Sequence, residues 1–106
     1  MNGGGRAARR AREGGVGTRC TAKVTIVNRL GLHARPAMTF VDLATTFKCD
    51  VKVAKPDCTV DGQSIMEMMM LAASQGTELE VIAEGEDAEA AIKALKALVD
   101  AGFDEE

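Results

Sequence analysis

Apolar residues recur with a period of two in four segments of this chain and with a helical period in three others, and that interleaving leaves few folds open. In TAKVTIV, Thr21 to Val27, the residues Ala22, Val24 and Ile26 can face a core while Thr21, Lys23 and Thr25 face water, which predicts a half-buried strand. Past a loop at 28–32, Ala37, Phe40, Val41, Ala44 and Phe47 keep the i, i+3, i+4, i+7 spacing of one helical face. Cys49, Val51 and Val53 alternate again, Lys55-Pro56-Asp57 supplies a turn, and Cys58 and Val60 continue on a return strand, so a hairpin is expected. Ser64 and Glu67 have the S-x-x-E form of a capping box and predict a second helix running through Leu71 to a stop at Gly76. Thr77 to Ala83 alternates as a fourth strand, with Leu79 and Val81 on one face and Glu78 and Glu80 on the other. After Gly85, Glu86 and Asp87 suit a helix start, and Ala88, Ala91, Ile92, Leu95, Leu98 and Val99 form the clearest amphipathic stripe of the chain.

The order is therefore β-α-β-β-α-β-α, an α+β arrangement. Each strand has one apolar face and each long helix one apolar stripe, so a four-stranded antiparallel sheet with its three helices on one side and water on the other is expected. A ferredoxin-like unit with an added helix fits the same order, and periodicity alone does not choose between the two. With 106 residues the chain holds one domain, placed at 21–106, and no apolar run approaches the ~18 residues that would insert into a membrane.

Residues 1–20 differ in kind from the rest. They carry five arginines against one glutamate, whereas the remainder carries eight basic and 15 acidic groups. This Gly- and Arg-rich tail lacks apolar periodicity and is expected to be disordered, or to reflect a translation start assigned too far upstream. Its Arg9-Arg10 pair is not followed by an apolar stretch of signal-peptide length, so the chain is expected in the cytoplasm. An acidic body does not attract nucleic-acid phosphates, and three Phe with no Trp or Tyr offer little for stacking bases, which argues against nucleic acid as a partner. Cys20, Cys49 and Cys58 lack paired zinc-type spacing and there is one histidine, so neither a metal nor another cofactor is expected, and the thiols are expected to be reduced.

The candidate chemistry lies in Gly31-Leu32-His33-Ala34-Arg35-Pro36-Ala37, which places the histidine at the first turn of a helix and Pro36 where a missing N–H is no loss. Arg35 in that turn opposes the helix dipole at a cost of about 0.3–1 kcal/mol, which calls for an anion to offset it. The free N–H groups of the turn and the guanidinium together suit a phosphate-sized group, with the imidazole beside it as the nucleophile. A phosphorylated histidine fits that geometry, whereas the plainer alternative is a capping or solvent-exposed histidine.

The segments NRLGLHARPA, QSIMEMMMLAASQGTELEV and AEGEDAEAAI, in this order and spacing, resemble the histidine-containing phosphocarrier (HPr) family of the bacterial phosphoenolpyruvate:sugar phosphotransferase system, over roughly Thr21 to Gly102. The resemblance implies an open-faced β-sandwich with sheet order 1-4-2-3. It implies that His33 takes a phosphoryl group on Nδ1 from phosphorylated enzyme I and passes it to enzyme IIA domains, that Arg35 neutralises the phosphate, and that the protein is a carrier and not an enzyme. It also matches Ser64 to a regulatory serine that an HPr kinase phosphorylates in some bacteria; Glu67 in the same turn would repel that phosphate.

Glu67 is the one charged residue between Ile65 and Ala73, so apolar side chains surround nearly the whole second helix. Ile65, Met66 and Met69 fall on one arc, with Met68 and Leu71 opposite, and one group must stay exposed. The resemblance makes the first group the partner-docking surface. Three functions follow: a monomeric sugar-uptake carrier, a carrier of the nitrogen-related branch with regulatory output, and an interaction module that binds a transcription regulator through Ser64 and the methionine patch with its histidine unused.

Overall fold

The computed structural model describes residues 18–104; the expected disordered tail therefore lies outside the described residues except at its last three positions. Four strands and three α-helices run in the order β1 (Thr18–Thr25), α1 (Ala34–Ala44), β2 (Cys49–Lys55), β3 (Cys58–Asp61), α2 (Ile65–Met70), β4 (Glu78–Gly85) and α3 (Ala88–Asp100), followed by a 3₁₀ turn at Gly102–Asp104. The sheet order is β1-β4-β2-β3, with every neighbouring pair antiparallel. The ferredoxin-like alternative is thereby set aside in favour of the open-faced sandwich.

The core is the inward set of each pattern. Val24, Ile26, Val51, Val53, Val60, Leu79, Val81 and Ala83 line the sheet, and Ala37, Phe40, Val41, Ala44, Ala88, Ala91, Leu95 and Val99 cover it from the helices. Arg19, Thr21, Lys23 and Thr25 alternate to the solvent side. Small alanines on α1 and α3 let the helix backbones approach the sheet closely, while Phe40 and Leu95 fill the space between them.

Three elements differ from the sequence expectation. β1 begins at Thr18, because Thr18, Arg19 and Cys20 pair with Gly85, Glu84 and Ala83; the boundary between tail and domain thus falls at least three residues earlier than 20/21. α2 stops at Met70 and does not continue toward Gly76, since Ala72 adopts a left-handed φ of 53° that breaks the helix. The segment after it instead bonds to the site loop, with Leu32 N–H donating to Ala73 O (2.8 Å), and to the end of β1, with Gly76 N–H donating to Ile26 O (2.8 Å). Third, the chain past α3 makes an unexpected turn in which Gly102, Phe103 and Asp104 all have positive φ, near 60–70°. Burial of the Phe103 ring against α1 and α3 compensates the strain of two non-glycine residues in that region.

Candidate functional site

α1 begins abruptly. His33 is its N-cap, with extended backbone (φ −86°, ψ −168°), and its carbonyl accepts the first helical bond from Ala37 N–H at 3.0 Å. Pro36 occupies the third helical position, whose N–H has no partner within the helix in any case. The His33 imidazole makes no capping bond to the helix backbone. Among the described residues the N–H groups of Ala34 and Arg35 have no acceptor, so two donors and the positive end of the helix dipole face outward beside the ring.

His33 is half-buried and Arg35 exposed. On one side His33 lines a shallow cleft of about 240 Å³ with Leu30, Leu32, Ala72, Ala73 and Ser74. On the other, Arg35, Pro36, Thr39, Phe103 and Asp104 line a cleft of about 350 Å³. The C-terminal turn thus forms one wall of the site, and the chain that follows α2 forms the other. A third cleft, lined by Lys23, Ala54, Lys55, Pro56, Glu78, Leu79 and Glu80, contains neither His33 nor a cysteine.

The loop that carries His33 is tightly held. Gly31 has φ 72°, and a Cβ there would lie 2.6 Å from Ala73 O and 2.9 Å from Ser74 Cα, so glycine alone suits both the dihedral and the close approach. Gly31 N–H donates to Asn28 O (3.1 Å), and His33 N–H donates to Gly31 O (3.1 Å).

α2 divides as its spacing requires. Met68 and Leu71 are fully buried, while Ile65, Met66 and Met69 are exposed, Met66 to 76%. Four further large apolar residues are exposed, Val27, Leu30, Met38 and Met70, and the two most exposed of them bear on this surface. Met70, 71% exposed, falls about 40° from Met66 at 100° per residue and could have been placed on the same face. Leu30, 73% exposed, sits in a loop with no periodicity to signal it and extends the apolar surface from the end of α2 to the edge of the imidazole.

Ser64 is the N-cap of α2, and its Oγ accepts Glu67 N–H at 3.2 Å, the first half of the expected capping box. The second half is redirected. Glu67 Oε1 accepts Asp61 N–H (2.9 Å), while Ser64 N–H donates to Asp61 O (3.2 Å), so the glutamate ties the helix start to β3.

Cys20 and Cys49 are poor candidates for nucleophilic work. Burial pushes the Cys20 thiol up, helped by Glu89, and burial together with Asp87, Asp50 and Cys20 pushes up that of Cys49, so both stay protonated at neutral pH. Among the described residues no three His, Cys, Asp or Glu side chains are grouped to hold a metal ion, and no helix is long and apolar enough to cross a membrane.

A half-buried imidazole at a helix start, with an exposed arginine two residues on and exposed methionines on the following helix, makes an open site on the surface of a small domain and not an enclosed pocket. Known proteins give such a domain a family. A family model described as the PTS HPr component phosphorylation site matches residues 20–101. The phosphocarrier protein HPr of Pseudomonas aeruginosa is 49% identical over 84 residues, covering 78% of this chain and 93% of that one. The phosphocarrier protein NPr of Shewanella violacea is 38% identical over 88 residues, covering 83% and 97%. The crystal structure of HPr-C-His from Thermoanaerobacter tengcongensis superposes with a TM-score of 0.79 at 44% identity, covering 82% of this chain and 98% of that one. The chain belongs to the HPr family: it is a phosphocarrier protein of the phosphotransferase system, and not itself a catalyst.

Proposed function

We propose that His33 is the phosphoryl-carrying residue, loaded by phosphorylated enzyme I and unloaded to enzyme IIA domains in sugar uptake in the cytoplasm. The observation that supports it is the N-cap position of His33, at a helix start where the N–H groups of Ala34 and Arg35 have no acceptor among the described residues and where the exposed Arg35 is the second helical residue. A phosphoryl group moving between two histidines keeps its charge, so the carrier needs only to position and neutralise it. The helix start supplies donors for the phosphoryl oxygens, and Arg35 supplies a cation that is paid for in helix stability when no phosphate is present. Ile65, Met66 and Met69 form the docking face, where flexible methionines fit more than one partner.

Ser64 is a second, regulatory phosphorylation site in this reading, as the substrate of an HPr kinase. Phosphate there breaks the Oγ bond to Glu67 N–H and sits close to the carboxylates of Glu67 and Asp61, so the phosphorylated helix start is less stable than the free one. The likeness to a protein named NPr favours one further reading, a carrier of the nitrogen-related branch with the same chemistry at His33.

The test is incubation with phosphoenolpyruvate and enzyme I, followed by mass spectrometry under non-acidic conditions. Acid-labile phosphate on His33 is expected, delivered onward to a sugar-type enzyme IIA domain. Transfer only to a nitrogen-branch IIA domain would select the second reading, and no phosphate on His33 would overturn both.

A further inference from the structure

Asn28 is a buried polar side chain, 3% exposed, at a place where the fold has no strand or helix to hold the chain. Burial of an amide is unfavourable unless its hydrogen bonds are made, so its partners indicate what the residue is for. Its Nδ2 donates to Gly31 O at 2.7 Å, and its own carbonyl accepts Gly31 N–H at 3.1 Å, which closes the four residues 28–31 into a small ring. The same Gly31 carbonyl accepts His33 N–H. One oxygen is therefore shared between the Asn28 amide and the backbone of the histidine. Leu32, between them, is tied to Ala73 O, and Gly102 of the C-terminal turn backs the ring, where an added Cβ would lie 3.7 Å from Asn28 Cβ.

An N-cap residue gives its carbonyl to the first helical bond but has non-helical dihedrals, so the bonds of the preceding loop help to set the His33 backbone from which its side chain projects. We propose that Asn28 is the positioning residue of the phosphoryl-transfer site, holding His33 in its N-cap conformation through the shared Gly31 carbonyl. This rests on His33 being the phosphoryl carrier. Asparagine suits the role because the site needs a short donor: aspartate has the same shape without the N–H, alanine leaves a void and removes the bond, and glutamine carries its amide too far along.

The test uses the full chain with Asn28→Asp, Asn28→Ala and Asn28→Ser, the last keeping a short donor. Steady-state phosphorylation by enzyme I and phosphoenolpyruvate is measured with the carrier as the varied substrate, and ¹H–¹⁵N spectra follow the His33 ring and the amides of α2 and α3. Misplacing a reacting atom by about 1 Å costs up to about 100-fold, so kcat for Asn28→Asp and Asn28→Ala should fall about 10- to 100-fold. KM should stay within about 2-fold because the exposed face of α2 is untouched, and Asn28→Ser should recover part of the rate. The His33 ring resonances should move while those of α2 and α3 stay in place.

An unchanged kcat in a folded Asn28→Ala protein would overturn the proposal. So would a rise in KM at constant kcat, which would make Asn28 part of the docking surface. Loss of fold in all three variants, Asn28→Ser included, would also overturn it, leaving a purely structural residue. If the unaltered chain accepts no phosphate, the reading of His33 fails, and the ring resonances still decide whether Asn28 positions it.

Discussion

The two halves of the site are built on opposite principles. The half that carries His33 is a loop closed by short hydrogen bonds, backed by a glycine that no other residue could replace and by the chain segment after α2. The half around α2 is one and a half turns of helix whose outer side chains lie partly in solvent, Met66 and Met70 for most of their surface and Ile65 and Met69 for less than half of it. Transfer of a phosphoryl group demands a fixed atom, and serving several partners demands a surface that can repack. In the proposed reading, the hydrogen-bonded loop within a few residues of the imidazole meets the first demand, and the exposed face of α2 meets the second.

The contrast can be broken most severely at the imidazole. His33→Ala should abolish phosphate acceptance from phosphoenolpyruvate and enzyme I without change in the circular-dichroism melting curve, because the ring contributes no core volume. Met68→Ala, on the buried side of α2, should lower unfolding free energy by about 2–5 kcal/mol in urea titration, while Met66→Ala on the exposed side should stay within about 0.5 kcal/mol. Equal losses from the two would remove the division of the helix into a core face and a docking face.

Met69→Glu should raise KM for enzyme I-dependent phosphorylation about 10-fold with little change in stability, since the charge must be desolvated at the partner interface and not in the free domain. Ser64→Ala should remove about 1 kcal/mol of stability through the lost bond to Glu67 N–H. Ala72→Gly should act in the other direction and raise stability by up to about 1 kcal/mol, because φ of 53° is strained for alanine and free for glycine. Deleting residues 1–17 should change neither melting temperature nor transfer, whereas extending the deletion through Lys23 removes most of the β1–β4 ladder and should lower the melting temperature at once.

The strands and long helices were legible because each buries one face and so writes a period of two or 3.6 into the sequence. The division of α2 into two opposed groups was legible on the same ground, Met68 and Leu71 against Ile65, Met66 and Met69, while which group faces outward followed from the family resemblance. The end of that helix was not, for an alanine gives no local sign that it will adopt a left-handed φ; the pull comes from Ala73 and Gly76, which bond to residues about 40 to 50 positions earlier in the chain. The strand order followed from family resemblance alone, as strand patterns carry no information on which neighbour they choose. Arg35 was legible as a cation unfavourable for the helix it starts, and His33 as the histidine two residues before it. Asn28 and Leu30 were not, because a loop residue's burial or exposure depends on contacts that no periodicity encodes.

In the proposed reading His33 passes phosphate through, without hydrolysing it or keeping it, and a chase decides the matter. The protein, loaded with ³²P from phosphoenolpyruvate by enzyme I and then freed of both, is mixed with an enzyme IIA domain. Label should leave His33 and appear stoichiometrically on the IIA domain, with Ser64 unlabelled throughout. Label retained by the carrier, lost to water or found on Ser64 would rule out a carrier acting through His33.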